Sequence, residues 1–168
     1  AEILVLRLIH ILGGVVWVGS MVFVTVFLGP ALQQVGPAAG QVMGALQQRR
    51  MMVFMPIVGI LTILSGFRLY WIMSDGFASP YTSSATGMTF GIAGLLAILA
   101  FIIGMSFARP AMARSGQLAA RMASASDAER AGMQAEMQRL RARGQSASLA
   151  VLVLLTLAAC GMAVARYL

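Results

Sequence analysis

Four long apolar stretches separated by polar breaks run along the chain. The first covers about residues 3–28 and stops at Gly29-Pro30; the second covers about 51–73, entered after Arg49-Arg50 and left at Ser74-Asp75-Gly76. The third, about 87–107, ends at Arg109-Pro110, and the fourth, about 148–165, ends at Arg166-Tyr167-Leu168. About 20 predominantly apolar residues carry a helix across the hydrocarbon core of a bilayer. Lipid cannot satisfy open backbone groups, so each stretch is predicted to be helical. The predicted fold is all-α: one integral membrane four-helix bundle over residues 1–168, with a cytoplasmic helical hairpin in the 109–147 loop between spans three and four.

That loop has its own pattern. Ser126-Asp127-Ala128-Glu129 reads as a capping box that opens a helix. Met133, Met137 and Leu140 then share one face, while Arg130, Glu136, Arg139 and Arg143 take others. Gly144 is the predicted stop before span four. A hairpin continuing the two spans is favoured over an amphipathic helix lying on anionic lipid or docking a partner. Gly87, Gly91 and Gly94 give span three a smooth side, and Gly13, Gly14 and Gly19 do the same for span one. Pro56 is expected to kink span two.

Composition turns the apolar pattern into a statement about solvent. Of the 168 residues 60% are hydrophobic and 10% charged, with mean hydropathy +0.87. Soluble domains carry about 25% charge, so too little polar surface exists to coat a water-soluble particle. All 12 basic residues are Arg, against five acids, for a net charge of +7. No basic stretch is interleaved with aromatics as strand-binding surfaces require, which argues against nucleic acid. Anionic lipid headgroups are the expected partners.

The arginines also orient the chain. Arg49 and Arg50 lie in loop one, and seven more between Arg109 and Arg143 lie in loop three; loop two has none. Basic loops stay in the cytoplasm, so loops one and three are predicted there, with loop two and both termini outside. Cys160, the one cysteine, excludes an intramolecular disulfide. The N-terminal residues carry neither a basic region nor a small-residue cleavage site, so a removable signal peptide is not expected.

Candidate chemistry centres on His10, the one histidine, roughly 10 Å along span one from Ile3 at 1.5 Å per residue. An ionisable group at that depth is costly and points to function. His10, Gly13, Gly14, Trp17 and Met21 follow one helical face, and Arg7, Arg68 and Arg166 gather at the same outer level. An imidazole nitrogen for iron with cations for two propionates is what haem b requires. The plainer reading is that the arginines snorkel to lipid phosphates while His10 bonds to a neighbouring helix. Thirteen methionines raise copper as a second choice. Met51, Met52 and Met55 cluster far from His10, however, and Met is a common filler of apolar helices. No span holds a carboxylate pair, and no phosphate loop or nucleophile–base pair is present, so the chain does not read as a self-sufficient enzyme.

Three segments carry a resemblance. "LRLIHILGGVVWVGSMVFVTVFLGPAL", "SGFRLYW" and "GMAVARYL" resemble small four-span bacterial inner-membrane proteins of the CopD-like and HemJ-like kind. The HemJ-like resemblance implies haem b with His10 as a ligand; the CopD-like one implies copper handling across the inner membrane. Leu28-Gly29-Pro30-Ala31 departs from the Pro-Arg-Leu-rich segment of HemJ-like proteins, and there is no lysine for a second ligand. Both departures argue against the protoporphyrinogen oxidation that the HemJ-like resemblance also implies. The expected function is thus haem b (copper second) held near the outer face by His10, with Arg7, Arg68, Gly13, Gly14 and Trp17 around it, in an electron-transfer or haem- or metal-handling role. The alternative is a non-catalytic accessory subunit, surrounded by lipid and by a second copy or a larger membrane complex.

Overall fold

A computed structural model describes residues 1–35, 39–122 and 125–168. Helix α1 (Glu2–Val22) runs through a π-helical turn (Phe23–Leu28) into α2 (Gly29–Gln34). A short α3 (Ala39–Gln48) leads to α4 (Met51–Met73), then the single turn α5 (Ser79–Thr82). Helix α6 (Ala85–Ile103) passes through a second π turn (Gly104–Ala108) into α7 (Arg109–Met122). Helix α8 (Asp127–Val164) ends in a 3-10 turn (Ala165–Tyr167). No strand occurs among the described residues. Four helices are long and apolar enough to cross a membrane: Glu2–Gln34, Met51–Met73, Ala85–Met122 and Ala128–Tyr167.

Three of these helices outrun the apolar stretches that predict them. The first does not stop at Gly29-Pro30 but continues to Gln34, and the third continues through Arg109-Pro110 to Met122. Both prolines are absorbed in the same way. The amide of Gly29 bonds the carbonyl of Val24, and that of Arg109 bonds the carbonyl of Gly104, five residues back in each case. A proline ring clashes with the carbonyl four residues before it. Widening the preceding turn to a π turn relieves that clash without ending the helix. Gly144 likewise does not stop a helix, because α8 passes through it unbroken. A Cβ there would sit 3.5 Å from Ala111 Cβ, so the glycine serves close approach to α7. Pro56 lies within the continuous α4, as its sixth residue.

Helix α1 packs on α4, α4 on α6, α6 on α8 and α8 on α1. Their shared core is Trp17, Val58, Ala93, Ala97, Ala100, Val151, Leu155 and Ala158. Moving an apolar side chain from lipid to protein gains little, so close packing must hold such helices together. Ala93, Ala97 and Ala100 supply the flat face of α6, and Gly161 of α8 nests against it, its absent Cβ 3.3 Å from that of Ala93. The predicted glycine face of span three is used differently. Gly87 packs on the backbone of Tyr81, Gly91 faces the ring of Tyr70, and Gly94 faces open space. Beyond the apolar core, Leu118 and Met122 of α7 meet Met133, Met137 and Leu140 of α8. The capping box is present: Glu129 Oε2 accepts from the Ser126 amide at 3.0 Å and its hydroxyl at 2.6 Å. Those bonds hold the Glu129 carboxyl below its ordinary pKa.

The turn after α4 holds three consecutive residues in the left-handed region, Asp75, Gly76 and Phe77, with φ of 48°, 74° and 67°. Only glycine takes that region freely. The turn is pinned by Ser74, 1% exposed, whose hydroxyl donates to the Trp71 carbonyl and accepts from the Phe77 amide at 2.9 Å. Phe77 then stacks edge-on against Trp71 at 4.9 Å and against Phe67 at 5.7 Å. Nearby, burial pushes the Tyr81 phenol above its ordinary pKa, with Tyr70 beside it adding to the rise.

Candidate functional site

Helices α1 and α4 meet in a reciprocal seam. His10 of α1 lies over Gly66 of α4, where a Cβ would come within 2.6 Å of its Cε1. One turn on, the roles reverse: Gly13 of α1 receives the side chain of Thr62, whose Oγ1 occupies the place a Cβ would need. A further turn on, the indole of Trp17 covers Gly59, Cζ2 standing 3.5 Å from the missing Cβ. His10 and Trp17 are seven residues apart, and so are Gly59 and Gly66, as two antiparallel helices in steady register require.

The seam fixes the imidazole. Nδ1 of His10 lies 2.8 Å from the carbonyl oxygen of Thr62. A carbonyl only accepts, so Nδ1 carries the proton and donates. In a neutral ring, Nε2 is then the nitrogen that keeps its lone pair. Nε2 has no hydrogen-bond partner among the described residues and is not among their buried unpartnered atoms. His10 itself is half-buried. Thr62 and Ser65 turn their hydroxyls back onto α4: Thr62 donates to the Val58 carbonyl at 2.8 Å, Ser65 to the Leu61 carbonyl at 2.6 Å. Neither competes for Nε2.

The other predicted site residues divide into two sets. Gly13 and Trp17 belong to the seam with His10. Trp17, 6% exposed, is enclosed by protein, edge-on to Phe101 at 6.0 Å. Arg7 and Gly14 lie outside the seam: Arg7 is exposed, and a Cβ at Gly14 would meet nothing within 4 Å. Arg68 is engaged by an acid, its Nε donating to Glu2 Oε1 at 2.8 Å. Both side chains are about half exposed, so the pair is worth at most about 1 kcal/mol. Glu2 is the partner that sequence reasoning overlooks. Its signal is that it is an acid at the start of span one while Arg68 closes span two at the same level. Arg166 stands 5.1 Å from the Tyr167 ring centroid, a cation–π contact at the C-terminus.

Among the described residues no group of three His, Cys, Asp and Glu side chains comes together. Two cavities, of about 820 and 670 Å³, lie elsewhere, near α3 and α7, and His10 lines neither. Compared with known protein families, curated proteins and solved structures, the chain matches none of them.

Proposed function

We propose that the chain is a multi-pass protein of the bacterial inner membrane that holds haem b near its outer face through Nε2 of His10, in an electron-transfer or haem-handling role. The carrying observation is the bond from His10 Nδ1 to the Thr62 carbonyl. Histidines that ligate metals are oriented in this way, the second ring nitrogen bonded to a carbonyl or carboxylate. The surroundings suit a flat anionic group. Gly14, one turn from His10, leaves open space beside α1, and Arg7, one turn the other way, offers an exposed cation. Arg68 could add a second cation by exchanging Glu2 for a propionate. Haem, when bound, would supply one-electron redox chemistry; His10 would hold it through Nε2, with Arg7 and Arg68 as charge partners. Copper ranks second because Met51, Met52 and Met55 cluster at the other end of α4 from the His10 seam. In this reading the four long helices form a bundle, loops one and three are cytoplasmic with the α7–α8 hairpin, and both termini and loop two are outside.

A second reading rests on a different observation. Nearly all of the apolar stretch of the first long helix is left uncovered by the rest of the chain. Leu8, Ile11, Leu12 and Val15 all face outward, and a neighbouring subunit would cover them as well as lipid would. The chain is then an accessory part of a larger membrane complex.

Purification of the full chain in mild detergent after haem-supplemented expression distinguishes the two. A Soret band, with iron near one per chain and lost in His10→Ala, is the expected result. Protein free of iron and copper, recovered with a larger complex, replaces the haem reading with the accessory one.

A further inference from the structure

We infer that the larger cavity is a binding site for one anionic glycerophospholipid, independent of whatever His10 holds. The cavity measures about 820 Å³ and lies between the end of the first long helix, α3, α7 and α8. That volume falls within the range of small-molecule sites. Its lining runs from apolar, at Val24, Leu28 and Leu149, to polar, at Gln145 and Arg141. It therefore spans the level at which the apolar half of α8 gives way to the charged half, where lipid headgroups sit.

Two independent features indicate an occupant. The first is a hydroxyl left without a partner. Thr62, Thr89 and Thr156 each donate to the carbonyl four residues back, at 2.8 Å. Thr25 does not: it lies in the π turn, and its Oγ1 is buried with no partner among the described residues. Leaving a buried hydroxyl unpaired is costly, and Thr25 is one of the residues that line the cavity. The second is a pair of glycines without neighbours. Gly40 and Gly44 lie one turn apart on α3, both line the cavity, and a Cβ at either would meet nothing within 4 Å. Gly13, Gly59 and Gly66, by contrast, are each filled by a side chain of this protein.

Charge selects the class of occupant. Arg141 lines the cavity, Arg109 lines the adjoining one across Gln47, and no carboxylate lines either among the described residues. Basic pockets between membrane helices accept anionic headgroups. A phosphate would meet Arg141, and the acyl chains would lie along the apolar wall.

The test uses purified full-length protein in detergent, with phosphatidylglycerol, phosphatidylcholine or inorganic phosphate added in turn. Phosphatidylglycerol is expected to raise the apparent melting temperature by about 5 °C or more at saturation, while the other two have little effect. Gly44→Phe fills the cavity and Arg141→Gln removes the cation; each should abolish the increment. Arg141 is exposed, so its variant reports even if Gly44→Phe fails to fold. An equal response to phosphatidylcholine or to phosphate, or an increment that survives Arg141→Gln, overturns the site. So does solvent extraction that yields a tightly held neutral amphiphile in place of an anionic lipid.

Discussion

His10 and Thr62 are joined across the α1–α4 seam by a 2.8 Å hydrogen bond from the imidazole Nδ1 to the threonine carbonyl. The bond is possible because Gly66 clears room for the ring, and Gly13 accepts the Thr62 side chain in return. One interface thus fixes both helix register and imidazole tautomer. A structural role and a ligating role do not compete here, since packing uses Nδ1 and leaves Nε2.

Gly66→Ala tests that coupling. Its Cβ would come 2.6 Å from His10 Cε1 and 2.9 Å from Nδ1, so the ring must move. Overpacking of this kind costs roughly 1–3 kcal/mol. Gly59→Ala carries a matching clash, 2.9 Å from Phe101, but leaves His10 alone. Both variants should melt earlier in detergent, and only Gly66→Ala should also reduce haem retention. Equal haem loss in the two would mean that general loosening, not ring position, controls binding.

Gly91 and Gly94 share a sequence pattern but not an environment. A Cβ at Gly91 would lie 3.4 Å from the Tyr70 hydroxyl, while one at Gly94 meets nothing within 4 Å. Gly91→Leu is expected to cost about 1–3 kcal/mol, and Gly94→Leu to stay within about 0.5 kcal/mol of the parent. Thermal unfolding of the two in one detergent decides the matter, and reversed sensitivities would place Gly94 at the interface instead.

Ser74 holds three consecutive left-handed residues in place through one hydroxyl. Ser74→Ala leaves the Phe77 amide without its partner, at a cost of about 1–3 kcal/mol. Proteolysis in the 75–78 turn should quicken correspondingly. An unchanged cleavage rate would mean that the aromatic contacts of Phe77 suffice alone.

The existence of the four long helices is legible in the sequence because apolar length is a local property. Their ends are less so. Gly29-Pro30 and Arg109-Pro110 read as stops, yet π turns carry both helices past them, and Gly144 packs against Ala111 without ending α8. The seam around His10 is harder still. Gly13 and Gly14 look equivalent on a helical face, but one is filled by Thr62 and the other is open. Which of them meets a neighbour depends on the rotation of α1 against α4, which no local pattern encodes. The seven-residue spacing of His10 to Trp17 and of Gly59 to Gly66 was the available signal, meaningful only once the helices are paired.

The capping box gives a pH dependence outside the apolar spans. Glu129 has its pKa lowered by the Ser126 hydroxyl and amide, with Arg121 adding to the effect. A depressed carboxyl stabilises the fold above its unfolded pKa, and that contribution is lost as pH falls through the folded value. Amide exchange at the start of α8, corrected for intrinsic rates, should therefore accelerate on acidification below the ordinary carboxylate range. Glu129→Gln should flatten that response, and a variant that keeps it would assign the pH dependence to another group.

Orientation is the remaining prediction, and it decides which face of the membrane His10 approaches. Arg49 and Arg50 lie in the turn between α3 and α4, while Arg114, Arg121, Arg139, Arg141 and Arg143 lie on the exposed surfaces of α7 and α8. The segment from Ser74 to Ser84 carries no basic residue. Holding the first group in the cytoplasm puts Ser83 outside and Gln134 inside. Both are exposed. In a Cys160→Ser background, Ser83→Cys should react with an impermeant thiol reagent in intact cells, and Gln134→Cys only after lysis. The opposite pattern would turn the protein over and place His10 at the cytoplasmic side. The cavity beside Arg141 would then face outward, and its preference for anionic lipid would have to be met in the other leaflet.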